Sequence, residues 1–188
     1  MKTPPGIPVE IERKFLVHDD GWRVGARPLS IRQGYLARSI ATNDRASNAT
    51  TNATTNATTN ATTNATTNAT TVRVRITDGV GTLTIKTRSK GITSPEFEYE
   101  IPTDHAEFLL KHCEGGLIEK TRHCVEHEGH AWEVDEFLGD NTGLVVAEIE
   151  LEGEDETFAK PTWLGEEVTH DKRFKNSRLS MLPYRDWS

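Results

Sequence analysis

The sequence predicts a mainly β protein: an eight-stranded antiparallel β-barrel with a few flanking helices. Eight segments alternate between polar and apolar residues with a period of two, which is typical of β-strands. Short turn signals such as Asp78-Gly79 and Glu128-Gly129 separate neighbouring segments and favour antiparallel hairpins. A sheet of this size with few helices is expected to close into a barrel, because closure removes exposed sheet edges.

The predicted strands are distributed along most of the chain, and their lengths are ordinary for globular proteins. In chain order they are Val9–Val17, Ser30–Ala37, Val72–Ile76, Thr82–Thr87, Glu96–Ile101, Ile118–Val125, Ala131–Leu138 and Leu144–Glu152.

One helix is predicted between the fifth and sixth strands. Thr103 or Asp104 can cap its N-terminus, and apolar residues at helical spacing follow. Gly115-Gly116 is expected to end it, because glycine readily adopts the left-handed conformation of a helix C-cap. Shorter helices or turns are expected near residues 19–24 and after residue 154.

A low-complexity block lies between the second and third predicted strands. From Ser47 to Thr71 the chain contains only Ser, Asn, Ala and Thr, mostly as a Thr-Asn-Ala-Thr repeat of period four. Such a segment has nothing apolar to bury, and loop closure costs little more for a longer loop. We therefore expect residues 1–188 to form a single domain, interrupted by a flexible loop insertion at about residues 41–71.

Composition argues against several classes of function. The net charge of −7 disfavours nucleic-acid binding, which normally leaves a basic footprint. The apolar runs are too short to span a bilayer, and the N-terminal residues lack the apolar core of a secretion signal. Cys113 and Cys124 have neither metal-ligand spacing nor a disulfide pattern, so free thiols in a reducing compartment are expected. The expected location is therefore cytoplasmic, without a nucleic-acid or membrane partner.

Charged residues form rows along the predicted strands. Glu96, Glu98 and Glu100 share one face of the fifth strand, for example, and Phe97 and Tyr99 share the other. The rows are acidic on some strands and basic on others, and the first strand carries both signs. Most of the predicted strands therefore have one charged face and one apolar face.

Two interpretations of these rows are open. The ordinary one is a solvated outer face over an apolar core. The alternative is that the charged faces point into the barrel, and two observations favour it. The signs are segregated by strand, whereas a solubilising surface normally mixes them, and rows of carboxylates need cations to offset their repulsion. Such a polar tunnel would suit a short polyphosphate and a divalent metal with oxygen ligands.

The strand motifs, taken in order, resemble the CYTH superfamily, the triphosphate tunnel metalloenzymes, and in particular its short bacterial members. The resemblance extends from Val9 to about Leu179 with the repeat block omitted. The motifs that carry it are Val9–Phe15 (VEIERKF), Ile31–Leu36 (IRQGYL), Val72–Arg75 (VRVR), Leu83–Lys86 (LTIK), Glu96–Glu100 (EFEYE), Ile118–Arg122 (IEKTR), Trp132–Asp135 (WEVD) and Ala147–Glu150 (AEIE).

This resemblance implies a closed eight-stranded tunnel with a polar interior and dependence on Mg²⁺, with Mn²⁺ as an alternative. It implies that three carboxylates bind metal: Glu10, Glu12 and Glu150. The implied substrate-binding cations are Arg32, Arg73, Arg75, Lys86, Lys120 and Arg122. The implied catalytic residues are Lys14, Glu98, Glu100, Asp135 and Glu148. Phe174 and His123 stand where the family more often has Tyr, which affects neither group.

The expected function is metal-dependent hydrolysis of a triphosphate, inorganic tripolyphosphate first of all, to pyrophosphate and phosphate. An adenylate cyclase, a nucleoside or thiamine triphosphatase, and a non-catalytic polyphosphate-binding module remain as alternatives. The expected partner is thus a small-molecule triphosphate, and a homodimer is left open.

Overall fold

The computed structural model describes residues 6–38, 70–87 and 91–187, and its main feature is a closed antiparallel β-barrel. The strands of the wall are β1 (Val9–Val17), β2 (Arg27–Arg38), β3 (Thr71–Thr77), β4 (Val80–Lys86), β5 (Thr93–Ile101), β6 (Glu114–His127), β7 (His130–Phe137) and β8 (Val145–Glu150). Neighbours pair in the order β1-β5-β4-β3-β2-β6-β7-β8, and β8 pairs with β1 again. The predicted eight-stranded barrel is therefore confirmed.

A further short strand, β9 (Leu164–Glu167), pairs with β1 beside β8. This strand was not predicted, because Leu-Gly-Glu-Glu shows no alternation between polar and apolar residues. The hairpin turns were predicted correctly. Asp78 and Gly79 both have positive φ angles (45° and 87°), as the central residues of a two-residue turn between antiparallel strands require.

The register places the charged rows of different strands on the inner side of the wall. In the ladder between β1 and β8, Glu12 lies opposite Glu150 and Lys14 lies opposite Glu148. Charged side chains also meet across strands that are not neighbours. Lys86 of β4 contacts Glu10 of β1, although β5 lies between these strands. Such a contact is available only inside a closed wall, so the inward interpretation of the charged rows is correct.

The main apolar core lies on the outer side of the wall. It contains outward residues of β1, β7 and β8, such as Phe15, Trp132 and Ala147, each with 0% exposure. Trp163, from the segment that follows β8, covers them, and its ring centroid lies 5.7 Å from that of Trp132. The barrel is thus stabilised from outside, and its interior is left to polar groups.

A second apolar cluster fills one end of the barrel interior. Ile118, Phe137 and Val146 point inward at this end, because each lies two residues from an inward-facing charged residue of its own strand. Phe174 and Leu179 of the C-terminal segment pack against them, the latter from α2 (Asn176–Leu179). We call this cluster the apolar plug.

The predicted helix is present as α1 (Thr103–Leu110), but its ends differ from the prediction. Pro102 is the N-cap residue, and the Thr103 hydroxyl donates a hydrogen bond to the Gly79 carbonyl instead of capping the helix. The helix also ends before Gly115-Gly116, because β6 already begins at Glu114. Its inner face packs on β3 through Ala106 and Leu110.

Other helical segments are short. The signal near residues 19–24 corresponds to a 3-10 turn at Gly21–Arg23, and further 3-10 turns occur at Lys172–Phe174 and Tyr184–Asp186. Within residues 6–38, 70–87 and 91–187, no helix has both the length and the apolar character needed to cross a bilayer.

Most of the repeat block, residues 47–69, lies outside the described residues, and so do its neighbours 39–46. Its last residue, Thr71, is the first residue of β3. Thr71 lies opposite Arg38, the last residue of β2. The two strands that flank the insertion are therefore paired up to their ends.

Candidate active site

The barrel encloses a polar cavity of about 580 Å³. Its walls carry both acidic and basic side chains from opposite sides of the barrel. The predicted site residues that line it are Glu10, Glu12, Lys14, Arg73, Arg75, Lys86, Glu98, Arg122, Glu148 and Glu150. The structure thus brings most of the residues singled out in the sequence to one cavity.

Two predicted residues lie deeper, behind the cavity wall. The side chains of Lys120 and Asp135 are fully buried and form an ion pair. The Lys120 ammonium lies 5.6 Å from the ring centroid of Phe137, at the edge of the apolar plug. Neither lines the cavity, so the expected direct contact of Lys120 with substrate is not supported by its position.

Arg32 and Glu100 require correction. Arg32 points to the outer side of β2, where it forms an ion pair with Glu107 of α1. The neighbouring residues Gln33 and Tyr35 occupy the inner side, because side chains alternate along a strand. Glu100 shares the inner side of β5 but is exposed beyond the cavity lining. Neither residue therefore contacts the cavity.

The three carboxylates expected to bind metal lie on adjacent strands. Glu10 contacts Lys86, and the Glu12 carboxylate lies 3.1 Å from the Lys14 ammonium. Among the described residues, Glu150 has no hydrogen-bond or ion-pair partner, and these residues include no group of three metal-ligating side chains already clustered for metal binding. The carboxylates are thus placed near one another but are held partly by cations.

Electrostatics indicate that positive charge compensates Glu10 and Glu150 only in part. Burial raises the pKa of Glu150, and three neighbouring carboxylates raise it further. Burial also raises the pKa of Glu10, although Lys86 opposes this effect. A divalent cation with oxygen ligands would relieve the repulsion, so the residues present fit a bound metal.

Lys14 lies between two carboxylates at the centre of the cavity wall. It contacts both Glu12 and Glu148 and is 5% exposed. Burial alone would lower the pKa of Lys14, but the two carboxylates outweigh burial and raise it. The pKa of Glu148 is held well below its usual value, against the effect of burial, mainly by Lys14. Both groups are therefore ionised near neutral pH.

Arg122 is held by three carboxylates. Its Nε and one terminal nitrogen donate to the two oxygens of Asp135 at 2.8 Å each. The same terminal nitrogen donates to Glu148 at 2.9 Å, and the other donates to Glu133. Burial opposes ionisation, but the carboxylates raise the pKa of Arg122, which stays charged.

Arg73 and Arg75 form the basic side of the cavity. One terminal nitrogen of Arg73 lies 3.3 Å from both Glu96 and Glu98, whereas its Nε is buried without a hydrogen-bond partner among the described residues. Arg75 Nε donates to the Gln33 carbonyl oxygen at 3.0 Å. Burial, and then the positive charges of neighbouring arginines, lower the pKa of Arg75 to about 10. This side of the cavity therefore has unused capacity for an anion.

Several cavity residues were missing from the predicted set. Glu96 and Glu133 line the cavity, and their places in the acidic rows were a signal that could have identified them. Lys175 reaches the cavity from the residue before α2, and no periodic pattern marks it. Burial chiefly lowers the pKa of Lys175, so its charge also lacks compensation. Gln33 is fully buried beneath Arg75.

Fold and cavity together define a class: a closed antiparallel barrel whose interior has basic groups suited to a polyanion on one side and carboxylates suited to a metal on the other. The chain belongs to the CYTH family, since residues 9–181 match the CYTH domain. Tunnel enzymes of this family are metal-dependent.

Similar proteins support the assignment. An inorganic triphosphatase of Acetivibrio thermocellus is 41% identical over 179 residues, which cover 95% of this chain and 97% of that protein. An inorganic triphosphatase of Nitrosomonas europaea is 33% identical over 177 residues, covering 92% and 97%. A crystal structure of an inorganic triphosphatase matches with a TM-score of 0.56 and 31% identity, covering 92% of this chain and 94% of that one.

Proposed function

We propose that this protein is a Mg²⁺-dependent inorganic triphosphatase, which hydrolyses tripolyphosphate to pyrophosphate and phosphate. The observation that supports it most is that the two sides of one cavity carry opposite charges. The basic side includes the incompletely compensated charge of Arg75, and the carboxylates of the acidic side repel one another. A triphosphate and a divalent cation together would satisfy both sides. The relatives named above are inorganic triphosphatases.

Each side of the cavity has a proposed role. Glu10, Glu12 and Glu150 would hold the metal, with Mn²⁺ as an alternative to Mg²⁺. A bound Mg²⁺ would polarise phosphoryl oxygens and neutralise their charge. Arg73 and Arg75 would bind the phosphoryl oxygens through guanidinium groups, which match phosphate geometry in two-point contacts.

The remaining cations and acids would position the triphosphate and stabilise charge. Lys14 stays protonated because Glu12 and Glu148 flank it, so it would stabilise negative charge that develops on a phosphoryl group. Lys86 and Arg122 would add charge to the same cavity, and Asp135 would fix the Arg122 guanidinium from behind. Hydrolysis would then depend on positioning and electrostatics, with water as the nucleophile and no covalent enzyme intermediate.

Phosphate release tests this function. Inorganic triphosphate, ATP and thiamine triphosphate should be supplied separately to the purified protein, with Mg²⁺ and with a chelator. We expect the fastest metal-dependent release from inorganic triphosphate. Faster turnover of either other substrate would reassign the specificity, pyrophosphate together with a cyclic nucleotide from ATP would indicate a cyclase, and no turnover would favour a non-catalytic binding module.

Variants of the proposed metal site provide the matching control. Glu10→Gln and Glu12→Gln should each abolish turnover while the protein stays folded, because each removes one negative charge that faces the metal. Glu107→Gln, on the outer side of the barrel, should keep wild-type turnover. Normal metal-dependent activity in Glu10→Gln and Glu12→Gln would remove these residues from the site.

A further inference from the structure

We infer that Gln33 positions Arg75 as the anchor to which triphosphate binds before any internal ion pair has to open. This inference rests on the proposed function, since it assigns the order of events in the same cavity. It concerns a residue that does not itself line the cavity, and it explains why a neutral side chain lies at this point of the wall.

Gln33 is the hydrogen-bonding partner of Arg75. Its side chain has 0% exposure, and its carbonyl oxygen accepts a 3.0 Å hydrogen bond from Arg75 Nε. Its amide nitrogen donates to the Tyr35 hydroxyl, 3.3 Å away. In the register between β2 and β3, Gln33 lies directly opposite Arg75. The amide is therefore fixed on both sides and fixes the guanidinium through Nε.

This arrangement leaves the terminal nitrogens of Arg75 for a ligand. Within the described parts of the chain, its hydrogen bond to Gln33 is the one side-chain contact of Arg75 at bonding distance, and no carboxylate lies within ion-pair distance. Arg75 also lines the cavity, so its guanidinium group is available to a ligand there. An incoming phosphoryl group would therefore meet donors that no other group occupies.

The other cations that the strands contribute to the cavity are already paired. Lys14 contacts Glu12 and Glu148, and Lys86 contacts Glu10 and Glu96. An anion must displace at least one carboxylate before it can use either ammonium fully.

The two other arginines of the wall show the same contrast. Arg73 lies within 3.3 Å of two carboxylates, and Arg122 is bonded to three. Lys175, from the C-terminal segment, has an uncompensated charge like that of Arg75, but a lysine lacks the guanidinium fork. Arg75 is thus the guanidinium that an anion can reach at the smallest cost.

Because Gln33 is neutral, it holds Arg75 without competing with an anion for its positive charge. A carboxylate at position 33 would lie about as close to Arg75 Nε as Asp135 lies to Arg122 Nε, 2.8 Å. It would form an ion pair inside a buried wall, and the anion would then compete with it. Glutamine gives the same hydrogen-bond geometry without the competing charge, and the lowered pKa of Arg75 is consistent with this lack of compensation.

The test compares Gln33→Glu, Gln33→Met and Arg32→Gln. Gln33→Glu keeps size and hydrogen-bonding capacity but adds one negative charge; Gln33→Met keeps size and loses the acceptor. Arg32→Gln changes the net charge by the same amount as Gln33→Glu, one residue away on the outer side of β2. Calorimetric binding of inorganic triphosphate in a chelator, where metal-dependent turnover is excluded, and the melting temperature of the ligand-free protein are measured for each.

We expect Gln33→Glu to weaken triphosphate binding at least about tenfold and to raise the melting temperature, because a buried ion pair replaces an uncompensated charge. Gln33→Met should weaken binding less and lower the melting temperature, and Arg32→Gln should bind like wild type. A merely structural role would move stability and binding in the same direction in both Gln33 variants.

Three results would overturn the inference: wild-type binding in Gln33→Glu, stronger loss of binding in Gln33→Met than in Gln33→Glu, or no binding by wild type without metal. If Gln33→Glu does not fold, wild-type affinity in Gln33→Met overturns it equally. The proposed function fails separately, if wild type with Mg²⁺ releases no phosphate from triphosphate, whatever the binding data show.

Discussion

Arg73 and Arg75 lie two residues apart on β3, and both line the cavity. That spacing puts both side chains on the same face, about 6.5–7 Å apart along the strand, so neighbouring phosphoryl groups can be bound together. We predict that Arg73→Ala and Arg75→Ala each raise the KM for inorganic triphosphate at least about tenfold and lower kcat. The Arg→Lys variants should recover activity only partly, because lysine keeps the charge but not the fork.

Steady-state kinetics check this prediction, and Arg32→Ala is the control. Arg32 carries the same charge but lies on the outer side of the barrel, where exposed ion pairs contribute little. Its kinetics should match wild type within about twofold. Wild-type kinetics in both Arg73→Ala and Arg75→Ala would show that β3 does not bind the substrate.

Glu148 and Glu150 are close neighbours on β8 but have opposite electrostatic effects on the metal-free fold. Lys14 and Arg122 stabilise ionised Glu148 against the effect of burial, whereas burial and nearby carboxylates destabilise ionised Glu150. We predict that Glu148→Gln lowers the free energy of unfolding at neutral pH by roughly 3 kcal/mol, because it removes one carboxylate from each of two buried cations, Lys14 and Arg122. Glu150→Gln should raise it only slightly, because Glu150 is exposed and solvent screens the repulsion from its neighbours.

The pH dependence of stability should show the same difference. The folded-state pKa of Glu148 lies below 4.5, so its contribution is present above pH 4.5 and is lost as pH falls through the folded-state pKa. The folded-state pKa of Glu150 lies above 4.5, so stability falls as pH rises from 4.5 through that value. Thermal melts of both variants across acid pH measure these slopes. Equal shifts in the two variants would contradict the assigned environments.

Whether a charged side chain faces the barrel interior was predictable on some strands and not on others. On β3 and β8 the charged residues alternate strictly with apolar ones, so one assignment of the face applied to every residue of a row. On β2, Ile31-Arg32-Gln33-Gly34-Tyr35 shows no such separation, and Arg32 was assigned to the interior only through the family resemblance. In the structure, Gln33 lies opposite Arg75, so Gln33 faces inward and Arg32 faces outward. The sequence of one strand does not show how it pairs with its neighbour.

At the scale of elements, the long connection between β2 and β3 is expected to tolerate shortening. We predict that replacing residues 42–68 by a short Gly-containing turn leaves kcat and KM within about twofold of wild type. The removed residues carry a repeat without apolar side chains, and a shorter loop costs less entropy, about 0.6 kcal/mol for each halving. The measurements are steady-state kinetics and the melting temperature. We expect unchanged kinetics and a melting temperature equal to or slightly above that of wild type.

Deletion of Val74 alone is the matched control. The turn between β3 and β4 holds Arg75 in register, so this deletion turns Arg73 to the outer side while removing far less chain. This variant should lose activity. If replacement of residues 42–68 by the short turn unfolds or inactivates the protein, the repeat segment has a structural role.

Elements with strong alternation were predictable, and elements defined by tertiary contacts were not. Most of the wall strands alternate clearly, and all eight were recognised. β9 is only four residues long and is defined by its pairing with β1. The end of α1 was predicted too late, because the sequence does not show that β6 needs the residues from Glu114 onward to pair with β2.

At the scale of the whole molecule, the ion pairs inside the barrel should couple the binding of metal and anion. Without ligands, Glu10 and Glu12 are held by Lys86 and Lys14. A metal that takes these carboxylates releases the lysines for phosphate, and an anion that takes the lysines releases the carboxylates. We therefore predict positive coupling of about 1–3 kcal/mol between Mg²⁺ and pyrophosphate, the expected product.

Melting temperatures measured with each ligand alone and with both together check the coupling. The shift with both ligands should exceed the sum of the separate shifts, at concentrations where Mg²⁺ does not precipitate pyrophosphate. The Glu12→Gln variant should show less coupling, since it removes one of the shared carboxylates. Additive shifts in wild type would contradict exchange between the internal pairs.

The inverted arrangement of the barrel, polar inside and apolar outside, was the global feature that the sequence left open. Alternation alone is equally compatible with a solvated outer face. Segregation of signs favoured the inward interpretation, and contacts between non-adjacent strands, such as Arg122 of β6 with Glu148 of β8, establish it. The apolar plug was not predicted, because it combines inward residues of several strands with the C-terminal segment.

The pairing of Arg38 with Thr71 has a practical consequence for protein engineering. Paired residues of antiparallel strands have Cα atoms about 4.5–5.5 Å apart, so the chain leaves the wall and returns to it at nearly the same point. A fluorescent domain with adjacent termini would fit between these residues without spreading the strands. Tyr35 and Arg73 lie within three residues of the junction and line the cavity, so occupancy of the barrel would be transmitted to the fluorophore. This junction is therefore a natural point at which to build an optical sensor.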